Sequence, residues 1–243
     1  MARPKLDIVY EDHDLLLANK PGGLLTLPDR FAPEKPNVLG LLNQAYGKVW
    51  TVHRLDRETS GIMVFAKNEE AHRELSRQFQ EREVAKAYLA LADGQIHLEE
   101  GEIDRPIVPN PAKPGQMMTA RKGKAAFSRY KVLERFQNFT LVEVSIETGR
   151  THQIRVHLQA LGHALAIDEF YGRRTALFLS EIKGRNYSLG KFEEERPLMG
   201  RLSLHAWKLA LQHPSTGEKR FWEAPLPKDF NAVLKQLRKW GKA

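Results

Sequence analysis

Residues 48–66, "KVWTVHRLDRETSGIMVFA", set two apolar runs on either side of a crowded polar stretch, residues 52–61. The flanks carry the β-branched and aromatic residues of strands, so the polar stretch reads as the loop joining them. Working outward, "LDIVYEDHDLLLANKPGGLL" predicts two short strands that turn at Glu11, Asp12, His13 and Asp14 and stop at Pro21-Gly22-Gly23. Residues 28–37 hold three prolines and read as a loop, and "VLGLLNQAYG" as a short helix closed by Gly47. Asn68 is placed to cap a helix whose apolar stripe is Ala71, Leu75 and Phe79. "VAKAYLALADG" returns to strand, with Lys86, Tyr88 and Ala90 on the face opposite Ala87, Leu89 and Leu91.

"LVEVSIE" alternates as a half-buried strand does, and "THQIRVHLQALG" predicts a helix with Ile154, Leu158 and Leu161 inward and Gly162 as its stop. "LSLHAWKLALQHP" and "EKRFWEAP" bracket the turn "PSTGE". The last helix, "DFNAVLKQLRKW", turns Phe230, Val233, Leu234 and Leu237 inward. Many strands and few helices, not in strict alternation, predict an α+β fold with a mixed, mostly antiparallel sheet flanked by helices. We read 1–243 as a single domain. The least patterned part, 173–201 with its "EEERP", reads as an insertion of mixed charge, either a flexible lid or a surface excursion, the second favoured.

There is no run of about 18 apolar residues and no apolar core of a secretory signal near the start. A soluble cytoplasmic protein is expected. The absence of cysteine excludes disulfides, thiolate catalysis and thiolate-bound zinc. The formal net charge is +8, and from Arg105 to Lys131 there are seven basic residues and no acidic one. Such a cluster, which includes Arg121, Lys122, Lys124 and Arg129, is either an unevenly charged loop or hairpin or a surface that neutralises nucleic-acid phosphates; the second is favoured.

None of the phosphate-loop, dinucleotide or H-E-x-x-H patterns occurs. His152 and His157 would point about 140° apart on a helix and share a metal ion poorly, so no metal site is expected. In the central loop, Arg54 and Arg57 flank Asp56 and favour its ionised form. That suits a nucleophile or electrostatic stabiliser and does not suit a general acid. An ordinary turn stabilised by Asp and Thr side chains is the competing reading. In "ETGRTHQIRVHL", Thr148 or Thr151 is placed to cap the helix and leave backbone N–H groups near Gly149 and Arg150 as a phosphate seat. Arg155 lies one step round from Ile154 and Leu158, from where its head can reach a buried acid, or it belongs to a solvated face.

"HRLDRETSG" resembles the signature H-R-L-D-x-x-T-S-G of the RluA-type RNA pseudouridine synthases, whose aspartate is catalytic. "NKPGGLL", "KAYLALADG", "IETGRTHQIRVHLQALGHALAIDEFYG" and the closing "LSLHAWKLALQHPSTGE…WEAPLP" resemble further motifs of that family, from about residue 8 to 230. One departure stands out: where the family usually reads P-I-x-G-D, this chain has Ala164-Leu165-Ala166-Ile167-Asp168, and Asp168 is given no role. The family's N-terminal RNA-binding module has no counterpart ahead of the first motif, so RNA contacts are expected from the catalytic domain itself.

The resemblance implies isomerisation of a uridine in tRNA or rRNA to pseudouridine, with no cofactor or metal; no obligatory protein partner is expected, and of the possible oligomeric states a monomer is favoured. It implies Asp56 as the essential carboxylate, Arg155 as its pairing partner and Tyr88 against the uracil. Leu204 would contact the other ring face, Arg54 would enter the space of the flipped base, and His53 and Arg150 would join them on the substrate. A catalytically silent RNA-binding protein on the same scaffold, and more remotely a small-molecule hydrolase using Asp56, are the alternatives. Replacing Arg121, Lys122 and Lys124 together by glutamine should weaken RNA binding and flatten the slope of log K against log salt by about 2 to 3; titrations at several ionic strengths measure this, and an unchanged slope removes the segment from the interface.

Overall fold

In the computed structural model, which describes residues 6–188, 190 and 194–241, the polar stretch lies between strands as expected. In chain order the first elements are β1 (Asp7–Glu11), β2 (Leu15–Lys20), α1 (Val38–Tyr46), β3 (Trp50–Thr51), β4 (Ser60–Ala66), α2 (Glu69–Gln80) and β5 (Ala85–Asp93). There follow β6 (Glu100–Asp104), β7 (Ile107–Pro109), β8 (Met117–Thr119), β9 (Phe127–Arg135), β10 (Phe139–Ile146), α3 (Gln153–Ala160) and α4 (Leu179–Lys183). The chain closes with β11 (Leu204–Gln212), β12 (Lys219–Glu223) and α5 (Lys228–Trp240). The fold is α+β with a mixed, mostly antiparallel sheet flanked by helices. Its strands fall into two compact units, one comprising residues up to Tyr88 with His205–Pro225, the other Leu89–Leu204 with the residues from Leu226 onward.

The first unit is organised by β4. All seven of its residues are buried, which is why "IMVFA" reads as one continuous apolar run without alternation. It pairs antiparallel with β2 from Leu15↔Ala66 to Lys20↔Gly61, and parallel with β11 at Ser60↔His205 and Gly61↔Ala206. The strand order is β1-β2-β4-β11, with β3 added to the far end of β4 and β12 to β11. Asp12 Oδ1 turns β1 into β2 by accepting the N–H groups of Asp14 and Leu15 at 2.8 and 2.7 Å. The Asn68 side chain caps α2 by accepting the Ala71 N–H. That helix lays Ala71 and Leu75 on a core of Leu15, Leu17, Ile62, Val64 and Leu209.

In the second unit the order is β5-β10-β9-β6, and β7 and β8 form a separate hairpin. The core gathers Leu91, Phe139 and Ile167 with Phe230, Val233, Leu234 and Leu237 of α5, the inward stripe expected of that helix. The same core holds Leu177, Ile182 and Met199. The Leu177 N–H donates to the Met199 carbonyl at 2.8 Å and the Leu198 N–H to the Leu177 carbonyl at 2.9 Å, while α4 packs on α5. The reading of 173–201 as a surface excursion is therefore corrected for Leu177, Ile182 and Met199, which are core residues spaced too irregularly for any period to reveal them. Part of "EEERP" lies outside the described residues.

Gly61 sits at φ +122, and a Cβ there would stand 2.1 Å from the Ala206 carbonyl oxygen. The glycine that ends the polar loop is thus what allows β4 and β11 to approach. Gly61→Ala should destabilise the protein by more than about 1 kcal/mol, because the φ is unfavourable and the clash is with backbone. Urea unfolding at neutral pH tests this; an unchanged midpoint would contradict the close approach.

Candidate active site

Between β3 and β4, the loop carrying Asp56 is gripped from below by residues of the "NKPGGLL" segment. Lys20, fully buried at the end of β2, donates from Nζ to the carbonyls of Pro21 (3.0 Å), Leu24 (2.7 Å) and Arg57 (2.8 Å). The Gly23 N–H also donates to the Arg57 carbonyl, and Arg57 Nε returns a bond to the Gly23 carbonyl. Thr26 Oγ1 donates to the Leu55 carbonyl at 2.8 Å and accepts the Leu55 N–H at 3.3 Å. Asp56 itself closes a turn, its carbonyl accepting the Thr59 N–H. Ser60 and His205, both buried, meet at 2.9 Å, and His205 Nε2 lies 3.2 Å from the Ala224 carbonyl. A carbonyl only accepts, so Nε2 carries the proton and Nδ1 takes the serine hydroxyl.

Tyr88 is buried on β5, and Asp56 acts on it electrostatically. Burial, and next the Asp56 charge, push the phenol well above its ordinary value, so it stays protonated and able to donate. The family resemblance assigns these two residues to one site, and within the first unit the Asp56 charge reaches Tyr88. His53 is turned the other way. Its Nε2 accepts the Val64 N–H at 3.1 Å, and its ring stacks on Phe79 with centroids 4.7 Å apart. Burial, with the Lys86 charge behind it, holds the imidazole down at about 3, so His53 is neutral and ties the loop to β4. Arg54 and Arg57 are exposed, Arg57 leaning on Gly23 and Glu58.

In the second unit, buried Arg155 meets buried Asp168 through two parallel bonds of 2.7 Å, from Nε and one terminal nitrogen. Asp168 Oδ1 also accepts the N–H groups of Phe170 and Tyr171, and the Arg155 guanidinium lies over both rings at 5.3 and 4.9 Å. Asp168, to which the sequence reading assigned no role, therefore helps to orient Arg155. The turn delivers it with Ala164 and Ile167 in place of the family's proline and glycine. The Ala166 N–H donates to the Leu91 carbonyl and the Asp168 N–H to that of Arg174.

The expected threonine cap is corrected as well. The N-cap of α3 is His152 in the left-handed region (φ 56), without a side-chain cap. Thr148 Oγ1 instead lies 2.7 Å from Gln153 Oε1, which also accepts the Arg150 N–H at 3.0 Å. That N–H is not available to a phosphate. The helix is buried from Gln153 through Leu158, so Arg155 does not belong to a solvated face, and exposure begins only at Gln159.

Arg150 donates from Nε to the Ala125 carbonyl and lines a cleft of about 440 Å³ with Val108, Met117, Lys124 and Thr151. Arg121, Lys122 and Lys124 are exposed beyond the β7–β8 hairpin. Arg129 differs, held by Glu102 at 2.7 Å and Glu147 at 3.2 Å over the Phe127 ring. Leu204 is buried at the start of β11. Among the described residues no group of three His, Asp or Glu is arranged to hold a metal ion, and no helix is long and apolar enough to cross a membrane. Lys20, Thr26, His205 and Asp168 were missed as site-building residues. The only local signal was a lysine set in an otherwise apolar strand immediately before Pro-Gly-Gly.

Residues 14–160 match the family described as RNA pseudouridylate synthase. The chain is 40% identical over 238 residues to the ribosomal large subunit pseudouridine synthase D of Nitrosomonas europaea, covering 96% of this chain and 65% of that one. It is 38% identical to the uncharacterized RNA pseudouridine synthase YlyB of Bacillus subtilis, covering 97% and 74%. With the dual-specificity RNA pseudouridine synthase RluA of Vibrio parahaemolyticus the identity is 39%, covering 88% and 80%. The chain thus spans just under two thirds of the first relative's length. The structure of human RNA pseudouridylate synthase domain containing 4 superposes with a TM-score of 0.72 at 27% identity, covering 95% of this chain and 92% of that one.

Because the folded pKa of His53 lies below its ordinary 6.5, the unfolded chain takes up a proton first as pH falls. The contribution to stability is complete above pH 6.5 and is lost progressively from about 6.5 down to about 3. His53→Gln keeps an acceptor for Val64 and removes the titration. Its unfolding free energy should fall less between pH 7.5 and pH 5 than that of the wild type; parallel declines in urea titrations would contradict the neutral imidazole.

Proposed function

Since the chain belongs to the RNA pseudouridylate synthase family, we propose that it converts specific uridines of structured RNA to pseudouridine with Asp56 as the essential carboxylate. The observation that carries this is Asp56 on a loop fixed at both ends, beside a buried tyrosine that keeps its proton. In the reaction the N1–C1′ bond breaks, the uracil turns while held, and C5 bonds to C1′. Product and substrate are isomers, and neither an electron nor a phosphate changes hands. The chemistry asks for a charged group at the ribose or base and for contacts that keep the detached uracil in place.

Asp56 supplies the charge. Tyr88 supplies an apolar ring face and a hydroxyl able to donate to the uracil. Arg155 enters this reading through the family pattern, as the guanidinium assigned to the catalytic aspartate, and its clamp to Asp168 limits the directions it can take. Leu204 is assigned to the uracil and Arg150 to the RNA on the same pattern. His53 is reassigned from the substrate to support of the loop. The target base must leave its stack, at a cost of a few kcal/mol. Exposed Arg54, next to Leu55 and Asp56, is placed in this reading in the vacated space, where a guanidinium both stacks and donates.

For the RNA we favour large-subunit rRNA over tRNA, because the names of several relatives specify the ribosomal large subunit. Membership in the RluA-type subgroup, a cytoplasmic location, and action as a monomer without a protein partner complete the proposal. Mapping pseudouridines in rRNA and tRNA from a deletion strain, complemented with wild type or Asp56→Asn, tests it. The wild type should restore one or more sites and Asp56→Asn none, with Tyr88→Phe slowed by on the order of 100-fold or more in vitro. Restoration by Asp56→Asn would leave a silent RNA-binding protein as the better reading.

A further inference from the structure

Phe31 is 92% exposed, more than any other large apolar residue described. It stands in the proline-rich loop 27–37, and that loop is not slack. Asp29 Oδ1 accepts the N–H groups of Phe31 (2.9 Å) and Ala32 (3.1 Å), and the Lys35 N–H donates to the Ala32 carbonyl. Pro28, Pro33 and Pro36 each fix a φ. The base of the loop is closed by the Val38 N–H on the Leu25 carbonyl and the Leu39 N–H on that of Thr26. A bare phenyl ring on a stiffened loop gains nothing for the fold, since it touches little of it.

Thr26, at the root of this loop, is the residue that grips both backbone groups of Leu55. Leu55 lies between Arg54 and Asp56. Phe31 lies five positions after Thr26, a reach of at most about 17 Å. Successive bases in a stacked strand rise by about 3.4 Å, so the ring stands within about five nucleotides of a base held at the loop. Arg30 precedes it and Lys35 lies four residues on, both exposed; the loop's acids are Asp29, whose carboxylate is occupied by backbone N–H groups, and exposed Glu34. An exposed aromatic face on a loop that also carries two exposed cations suits an unpaired nucleotide, the ring taking the base and the cations neighbouring phosphates.

We propose that Phe31 is a stacking platform for an unpaired base of the substrate RNA within a few nucleotides of the target uridine, with Arg30 and Lys35 on the adjoining phosphates. The proposal rests on the function argued above and adds a residue that selects among RNAs by the shape of the strand around the target. It predicts that the enzyme prefers a target whose neighbouring nucleotide is unpaired.

The test uses the full chain carrying a benzophenone photo-crosslinking side chain at position 31 and total RNA from the deletion strain. Crosslinks should fall within about five nucleotides of the uridine whose modification that strain lacks; crosslinks elsewhere, or none, overturn the proposal. In parallel, Phe31→Ala should raise KM for that RNA on the order of 10-fold, with kcat and the unfolding midpoint unchanged. Phe31→Trp should retain the wild-type KM and Phe31→Leu should not. An unchanged KM in Phe31→Ala, or full replacement by leucine, also overturns it. The two readings fail separately: a silent Phe31 with an inactive Asp56→Asn removes only the platform. Crosslinks near the target with an active Asp56→Asn remove only the catalytic assignment.

Discussion

The buried ammonium of Lys20 joins two sequence segments 37 residues apart, and the placing of Asp56 depends on that union. Burying a lysine is costly unless each of its donors is met, and here three backbone carbonyls converge on it from Pro21, Leu24 and Arg57. Two of those carbonyls belong to the turn that Pro21, Gly22 and Gly23 produce, and the third to the loop that carries the carboxylate. Neither loop holds its shape alone. The lysine makes them one structure, and the Thr26–Leu55 pair and the Ser60–His205 bond fix the remaining degrees of freedom.

Burial is used differently on each side of Asp56. On Tyr88 it keeps a proton on the phenol, and on His53 it keeps one off the imidazole. Both groups are therefore neutral near pH 7, and the Asp56 carboxylate is not set against a second titrating group in either of them. In the second unit, Asp168 fixes Arg155 through a bidentate bond while Phe170 and Tyr171 cover the guanidinium. A planar fork held this way points its remaining donors in a defined direction, which a lysine at that position would not do.

The basic segment that looked uniform in sequence divides on folding. Arg129 is neutralised by Glu102 and Glu147, which lie 27 residues before it and 18 after it in the chain. Arg121, Lys122 and Lys124 keep their exposure. Local charge counting sees only neighbours along the chain, whereas the field at a surface depends on what adjacent strands bring beside it.

Sequence by itself determined the strands and helices that bury one face, such as α2 and α5, and the continuous apolar run of β4, because burial on a fixed period leaves a pattern. It also singled out the proposed carboxylate, Asp56, because the motif that carries the family resemblance occupies consecutive positions. Elements without a period were misread: α3 is buried from Gln153 through Leu158 and resembles a half-solvated helix on paper, and Leu177, Ile182 and Met199 join the core at irregular spacing. Only the tertiary structure decided that Asp168 grips Arg155, that His53 stacks on Phe79 and that Lys20 lies beneath the Asp56 loop. Each of these is a pairing between segments distant along the chain, and such pairings exist only once the strands have set their register.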